Sequence, residues 1–325
     1  MKRVGLLLIA VTGAALGKSP VPLPRPAPQL RADTPAAAAR RNKACETCHP
    51  DIAKEWRSSR HRAARNNAEY RAALAREPGS ARGFCNACHA PEGAADLGVG
   101  CVTCHVPLGP VLAAPGTGRA PHALLRTAQM QDGDACASCH EFSFPAPNGG
   151  SQMQRTMTEH RVAAGAKLGC NGCHMPLVGS GKARHRSHVF AGGHDPALVR
   201  SALSVKATRP SAGRVEIRLT PKNVTHAVPT GDLFRRIAVK VTLPDGRVRA
   251  RYFSRRFRDA LPLRQEVSDD RPYRGTTLVA LEVPETAPAV RYSVVYERVA
   301  HPRGAEEDAA IDGAITIAAG RLPRP

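Results

Sequence analysis

Five copies of one short motif, Cys-x-x-Cys-His, constrain this chain more than any other feature. They are Cys45-x-x-Cys48-His49, Cys85-x-x-Cys88-His89, Cys101-x-x-Cys104-His105, Cys136-x-x-Cys139-His140 and Cys170-x-x-Cys173-His174, and they use all ten cysteines of the 325-residue chain. Two sulfurs three residues apart share one turn of chain, where each can form a thioether with a different vinyl group of one haem. The adjacent imidazole is then held under the iron as proximal ligand. Disulfides, zinc sites and thioredoxin-like pairs use similar spacings, but zinc needs a fourth ligand at each site and a redox pair normally occurs once. The repeated motif therefore implies five covalently attached haem c groups.

Eight histidines remain for the distal sides of the irons: His61, His122, His160, His185, His188, His194, His226 and His301. Imidazole is the natural sixth ligand of a low-potential, low-spin haem, whereas methionine raises the potential. Five distal groups are expected from His61, His122, His160, His188 and His226, with His194 a further candidate. His301 reads as a solvated side chain, and Met130, Met153, Met157 and Met175 read as packing. Which distal histidine serves which haem is left open by the sequence, because distal ligands often come from remote segments.

Aromatic residues make up only 4% of the chain, so it has little bulky apolar material of its own. Porphyrins would supply the missing core. The formal charge of +20 falls by roughly 10 once ten haem propionates ionise. The remainder is enough to steer an acidic redox protein in a salt-sensitive way, and it is no nucleic-acid signature. Arg247, Arg249 and Arg251 alternate with Val248, Ala250 and Tyr252, which reads as one solvated strand face with the apolar residues on the other.

Residues 1–17 read as a signal peptide: Lys2 and Arg3, a short apolar run from Val4 to Ala15, then Ala15-Leu16-Gly17 as the cleavage region. The run is too short to span a bilayer, so no membrane span is expected after its removal, and the mature chain is expected in the periplasm. Residues 18–42 are rich in Pro and Ala, and those up to residue 40 suit an extended leader. Residues 43–204 hold every cysteine and should form a mainly helical and irregular cytochrome domain organised by haems. Helices are expected over Asp51 to Arg76 and Gln152 to Ala166. Residues 205–325 change to period-two alternation, as in Val215 to Leu219, Ile237 to Val241, Leu278 to Val283 and Val290 to Val299, with Pro244-Asp245-Gly246 as a hairpin turn. The expected class is α+β in two domains, the second a small β-sandwich.

The segments around the motifs resemble a known family. Cys45-Glu46-Thr47-Cys48-His49-Pro50 through Trp56 to His61 is similar to the opening of multihaem cytochromes related to the tetrahaem cytochrome c that accepts electrons from hydroxylamine oxidoreductase. So are the pair Cys85 to Pro91 and Gly98 to His105, and the runs Cys136 to Glu141 and Cys170 to Pro176. His226 to Gly231 resembles an element of multihaem cytochromes with a C-terminal β domain. The resemblance covers about residues 43 to 200. It implies periplasmic electron transfer through stacked, mostly bis-His haems, one of which is open to a small ligand in some members. The fifth motif and the β domain depart from the tetrahaem pattern, so neither haem pairing nor partner carries over.

Two functions follow as expectations. One is an electron carrier working between redox proteins. The other is an oxidoreductase acting on a small nitrogen or sulfur compound at one five-coordinate haem, which needs an open iron and nearby acid–base groups. The chain lacks the Cys-x-x-Cys-Lys motif that marks the catalytic haem of pentahaem nitrite reductases, which favours the carrier.

Overall fold

The computed structural model describes residues 34–325 apart from 78, 80, 108, 145–150, 164–167, 261–262 and 301–305. The signal segment, residues 18–33 and His301 lie outside the described residues.

Helix α1 (Pro35–Cys48) begins inside the stretch expected to be an extended leader. Thr34 accepts a hydrogen bond from the Ala37 N–H at 3.2 Å and Pro35 occupies the first turn, so Thr-Pro followed by four alanines is a helix start. His49 ends α1 and begins α2 (Pro50–Ser58). The single helix expected to Arg76 is broken. Ser59 returns its hydroxyl to the Trp56 carbonyl at 2.7 Å, and Asn67 caps α3 (Ala68–Arg76) by accepting from the Tyr70 N–H at 2.8 Å. Both side chains compete with helical continuation.

The remaining motifs each end a short helical turn. These are α4 (Ala81–His89), α5 (Cys101–His105), α7 (Ala137–His140, preceded by α6, Gln129–Asp132) and α9 (Cys170–His174). Between them lie two-stranded ribbons: β1 (Val111–Ala113) with β2 (Leu124–Arg126), β3 (Glu141–Ser143) with β4 (Gln152–Arg155), and β5 (Leu177–Val178) with β6 (His185–Arg186). The helix expected from Gln152 is thus a strand first and a helix, α8 (Thr156–Arg161), afterwards. The buried Glu141 carboxylate accepts from the N–H groups of Met157 at 2.9 Å and Thr158 at 3.2 Å, which starts α8 there.

Helix α10 (Pro196–Ser201) leads into the strand-rich region. One antiparallel sheet has the order β10 (Val248–Phe253), β9 (Arg235–Thr242), β14 (Ala289–Val299), β15 (Ile311–Pro323). A second has the order β13 (Thr277–Glu282), β8 (Arg214–Pro221), β7 (Leu203–Ser211), and β11 (Arg255–Ala260) pairs with β12 (Leu263–Asp269) as a hairpin. The inward residues of both sheets form one core, with Val215, Ile217, Leu219, Ile237, Val239, Val241 and Val294 fully buried. Each such side chain contributes about 1.5–3 kcal/mol relative to an exposed one. The Pro-Asp-Gly turn closes β9 onto β10 with Gly246 at φ 85°. On β10 the expected inward face is only partly realised. Val248 and Ala250 are exposed along with the arginines, and burial starts at Tyr252, because β10 is an edge strand of its sheet. Arg247 and Arg251 are paired with Asp245 and Asp270, each at 2.7 Å.

The cysteine-bearing half has only a small core of its own, with Ala38, Trp56, Leu97, Val102 and Val106 buried together. The rest of its interior is a cavity.

Candidate haem-binding cavity

A connected cavity of about 2530 Å³ runs through the cysteine-bearing half and along the edge of the β region. Ordinary small-molecule pockets measure roughly 300–1,000 Å³. All ten cysteines line it, together with His49, His89, His105, His140 and His174. His61, His122, His160, His188, His194 and His226 also line it. No disulfide closes within or between the motifs, and among the described residues no group of three His, Cys, Asp or Glu converges as a metal-ion site. Zinc would require such convergence. A haem needs instead two sulfurs and a histidine bordering one space, and the two cysteines and the histidine of each motif all line this cavity.

Three histidine pairs face each other across this space. Ring centroids are 6.2 Å apart for His105 and His188, 6.3 Å for His174 and His226, and 6.3 Å for His61 and His140. Metal–imidazole bonds of about 2.0–2.1 Å place two trans imidazole centroids roughly 6 Å apart. Each pair joins a motif histidine to one of the distal candidates.

Hydrogen bonding sets the tautomers. Nδ1–H of His105 donates to the Leu112 carbonyl at 2.9 Å, that of His174 to Ala191 at 2.6 Å and that of His89 to Ala64 at 3.0 Å. His188 and His226 donate likewise to the carbonyls of Arg186 at 2.8 Å and Ala227 at 3.0 Å. A carbonyl can only accept, so Nε2 of each ring keeps its lone pair for a metal. Loss of water and the neighbouring His140, His188 and His89 rings push His61 down to about 3, which keeps it neutral. Its Nδ1 is buried with no hydrogen-bond partner.

His194 has the opposite polarity. Arg60 donates to its Nδ1 at 2.6 Å, so the proton of the neutral ring sits on Nε2. In this arrangement His194 has no lone pair to offer iron, which counts against it as a distal ligand. His185 is not in the cavity wall and instead approaches Glu55 at 3.4 Å. His122 lies close enough to Cys45 to act on it electrostatically, and His160 sits beside Thr225, 2.6 Å from its hydroxyl. Among the described residues, neither His49 nor His89 has an imidazole facing it at the spacing of the three pairs. His89 stacks on Tyr70, ring centroids 3.9 Å apart.

The attachment sites are interlocked. The thiols of Cys45 and Cys101 lie near one another, as do those of Cys136 and Cys170, and Cys104 lies near Cys139. Asn42 produces the first contact. Fully buried on α1, it accepts from the Cys101 N–H at 2.7 Å and so caps α5 from one turn before the first motif. Gly100 leaves room for this, since a Cβ there would stand 2.6 Å from Asn42 Oδ1. At the other end, buried Glu159 accepts from the Ala227 N–H at 3.2 Å and the Thr230 hydroxyl at 2.7 Å, and pairs with Arg271. It ties α8 to the loop that carries His226. Sequence reasoning missed Asn42 and Glu159, because neither stands in a motif.

Residues 31–106 match the family described as cytochrome c7 and related cytochrome c. That segment is similar to a cytochrome c7-type multihaem domain. This domain is an attachment scaffold for covalently bound haem c. Most of the chain also shares its fold with a penta-heme cytochrome c552 from Thermochromatium tepidum. That crystal structure aligns with a TM-score of 0.66 at 19% identity, over 86% of this chain and 98% of that one. A structure of the ApaA protein from Bordetella pertussis covers 38% of this chain and 92% of its own at 16% identity, but its TM-score of 0.18 carries no argument. No curated protein matches the chain. No helix among the described residues is long and apolar enough to cross a membrane.

Proposed function

We propose that this chain is an exported, periplasmic pentahaem cytochrome that passes electrons between redox proteins through closely packed, mostly bis-His haems. The observation that carries the reading is the set of three imidazole pairs at 6.2–6.3 Å, each bridging a motif to a distal candidate. His188 then serves the third haem, His61 the fourth and His226 the fifth, with His122 nearest the first. When bound, haem supplies the one-electron chemistry. The chain's own part is to hold neutral imidazoles in place and to keep water out.

Contacts between attachment sites order the path. Motif one abuts three, three lies near four, and four abuts five. His61 lies near both His140 and His89, which puts the second site beside the fourth as a branch. Electrons would thus enter or leave at three ends. The residual positive charge favours an acidic partner. A redox titration with a low-potential donor tests the reading: all haems should be reduced reversibly, and failure to reduce them would reject it.

A second reading is favoured by one observation. His89 is stacked by Tyr70 and felt by the Asp232 carboxylate, and among the described residues no imidazole stands opposite it at the spacing of the other pairs. A five-coordinate second haem would suit an oxidoreductase of a small nitrogen or sulfur compound, in line with the likeness of the motif flanks to the hydroxylamine-oxidoreductase-linked cytochromes. Carbon monoxide binding to the reduced protein separates the readings. One ligand bound per chain supports an open iron, and none supports the carrier alone.

A further inference from the structure

Between the second and fourth motifs the cavity wall collects cationic and donor groups that the three histidine pairs do not use. Arg60, His194, Arg235, Tyr296 and Arg298 all line it. Arg235 is engaged by Asp232, with Nη2 to Oδ2 at 3.1 Å, and its Nη1 approaches the Tyr296 hydroxyl at 3.4 Å. Arg60 has only a loose approach to Glu69 at 3.8 Å beside its bond to His194.

Arg298 differs from both. Among the described residues no carboxylate forms an ion pair with it, although Glu69 is near enough to feel its charge; its Nη1 reaches the Gly193 carbonyl at 3.4 Å, and its Nε is buried with no acceptor. A guanidinium left this way is costly, because it cannot shed its proton. Gly313 faces Arg298 across β14 and β15, and any Cβ at Gly313 would collide with the guanidinium. Gly193 has no room for a side chain against Tyr296 and Arg235. Beside Arg298, His194 carries its proton on Nε2 and presents a further donor. Burial and the charges of Arg298, Arg60 and Arg235 push His194 down to about 4, so it is a neutral donor that adds no charge.

We propose that Arg298, Arg60 and His194 form an anion-binding site in the cavity wall, taking a carboxylate or a small oxyanion. Guanidinium forks match such groups bidentately, and a partly enclosed site strengthens the pairing. Two sources share this chemistry: a propionate of the haem attached at Cys85 and Cys88, or an exogenous oxyanion such as nitrite held near that iron. The inference rests on the reading that a haem is attached there.

The test uses the holoprotein, with five haems confirmed by pyridine haemochrome assay, and compares wild type with Arg298→Gln. Arg60→Gln, at a largely exposed side chain, serves as a second variant should the first fail to mature. Two quantities are read: the midpoint potential of each resolvable haem, and the dissociation constant for nitrite followed in the Soret band. A propionate source predicts that one haem's potential falls, because removing a nearby positive charge favours ferric iron, with nitrite having no effect. An exogenous source predicts nitrite binding weakened at least tenfold in the variant, with carbon monoxide binding unchanged. If all potentials and nitrite behaviour are identical in wild type and both variants, the anion site does not exist. A haem count of four would instead reject the underlying reading of the second motif.

Discussion

His174 and His226 face one another with ring centroids 6.3 Å apart and planes 14° from parallel, one from the fifth motif and one from the first long loop of the β region. The β region therefore closes one side of the haem cavity. Replacing His226 with Ala should leave every thioether intact while converting one haem to high spin, and His61→Ala should do the same at the fourth site. EPR of the oxidised variants, with haem stoichiometry, checks both. An unchanged low-spin spectrum would remove the residue from the ligand set.

Glu159 acts on the same loop at one remove. Its carboxylate holds the Ala227 N–H and the Thr230 hydroxyl and is buried against Arg271. Glu159→Gln breaks a buried charge pair, at a cost of about 3–5 kcal/mol. It should lower the denaturation midpoint and broaden the signals of the haem opposite His226, leaving the His105 and His188 centre unaltered.

Acid should loosen the two halves of the molecule. Burial pushes the Asp269 carboxyl up, but its hydrogen bonds to Arg271 and the charges of Arg271 and Arg155 outweigh this and hold it below its usual value. A depressed folded-state value adds stability above the unfolded value of about 3.9, and that stability is lost as pH falls through the lower folded value. Asp269→Asn should thus be destabilised by about 1–3 kcal/mol at pH 7. The gap from wild type should shrink below about pH 4. Denaturant unfolding at pH 7 and pH 3 measures both; a gap that does not narrow in acid would contradict the role given to Asp269.

Gly133 has φ 84°, and a Cβ there would lie 2.8 Å from Cys170 Cβ. Gly133→Ala combines backbone strain with a collision at a fifth-haem attachment point. Mass spectrometry of the mature variant should show a fraction with one haem fewer. Full loading would mean that the close approach is not required during attachment.

The motifs made the candidate attachment residues and their grouping along one cavity legible, because thioether chemistry demands contiguous residues. The strands of the β region were legible for the same local reason: inward positions such as Ile217 and Val239 alternate with polar ones. The pairing of distal histidines was not, since His61 meets His140 and His226 meets His174 only through tertiary packing. The helix start at Thr34 and the break at Ser59 could have been read from capping residues. Asn42 and Glu159 left no such trace, because their roles depend on backbone groups brought near them by the fold.

The most direct test of the account is an EPR spectrum of the oxidised wild-type protein, matured with five haems. Low-spin bis-His signals that dominate and account for at least the three paired centres are the predicted result. A spectrum dominated by high-spin iron would contradict it, because the three histidine pairs would then not be closing their irons.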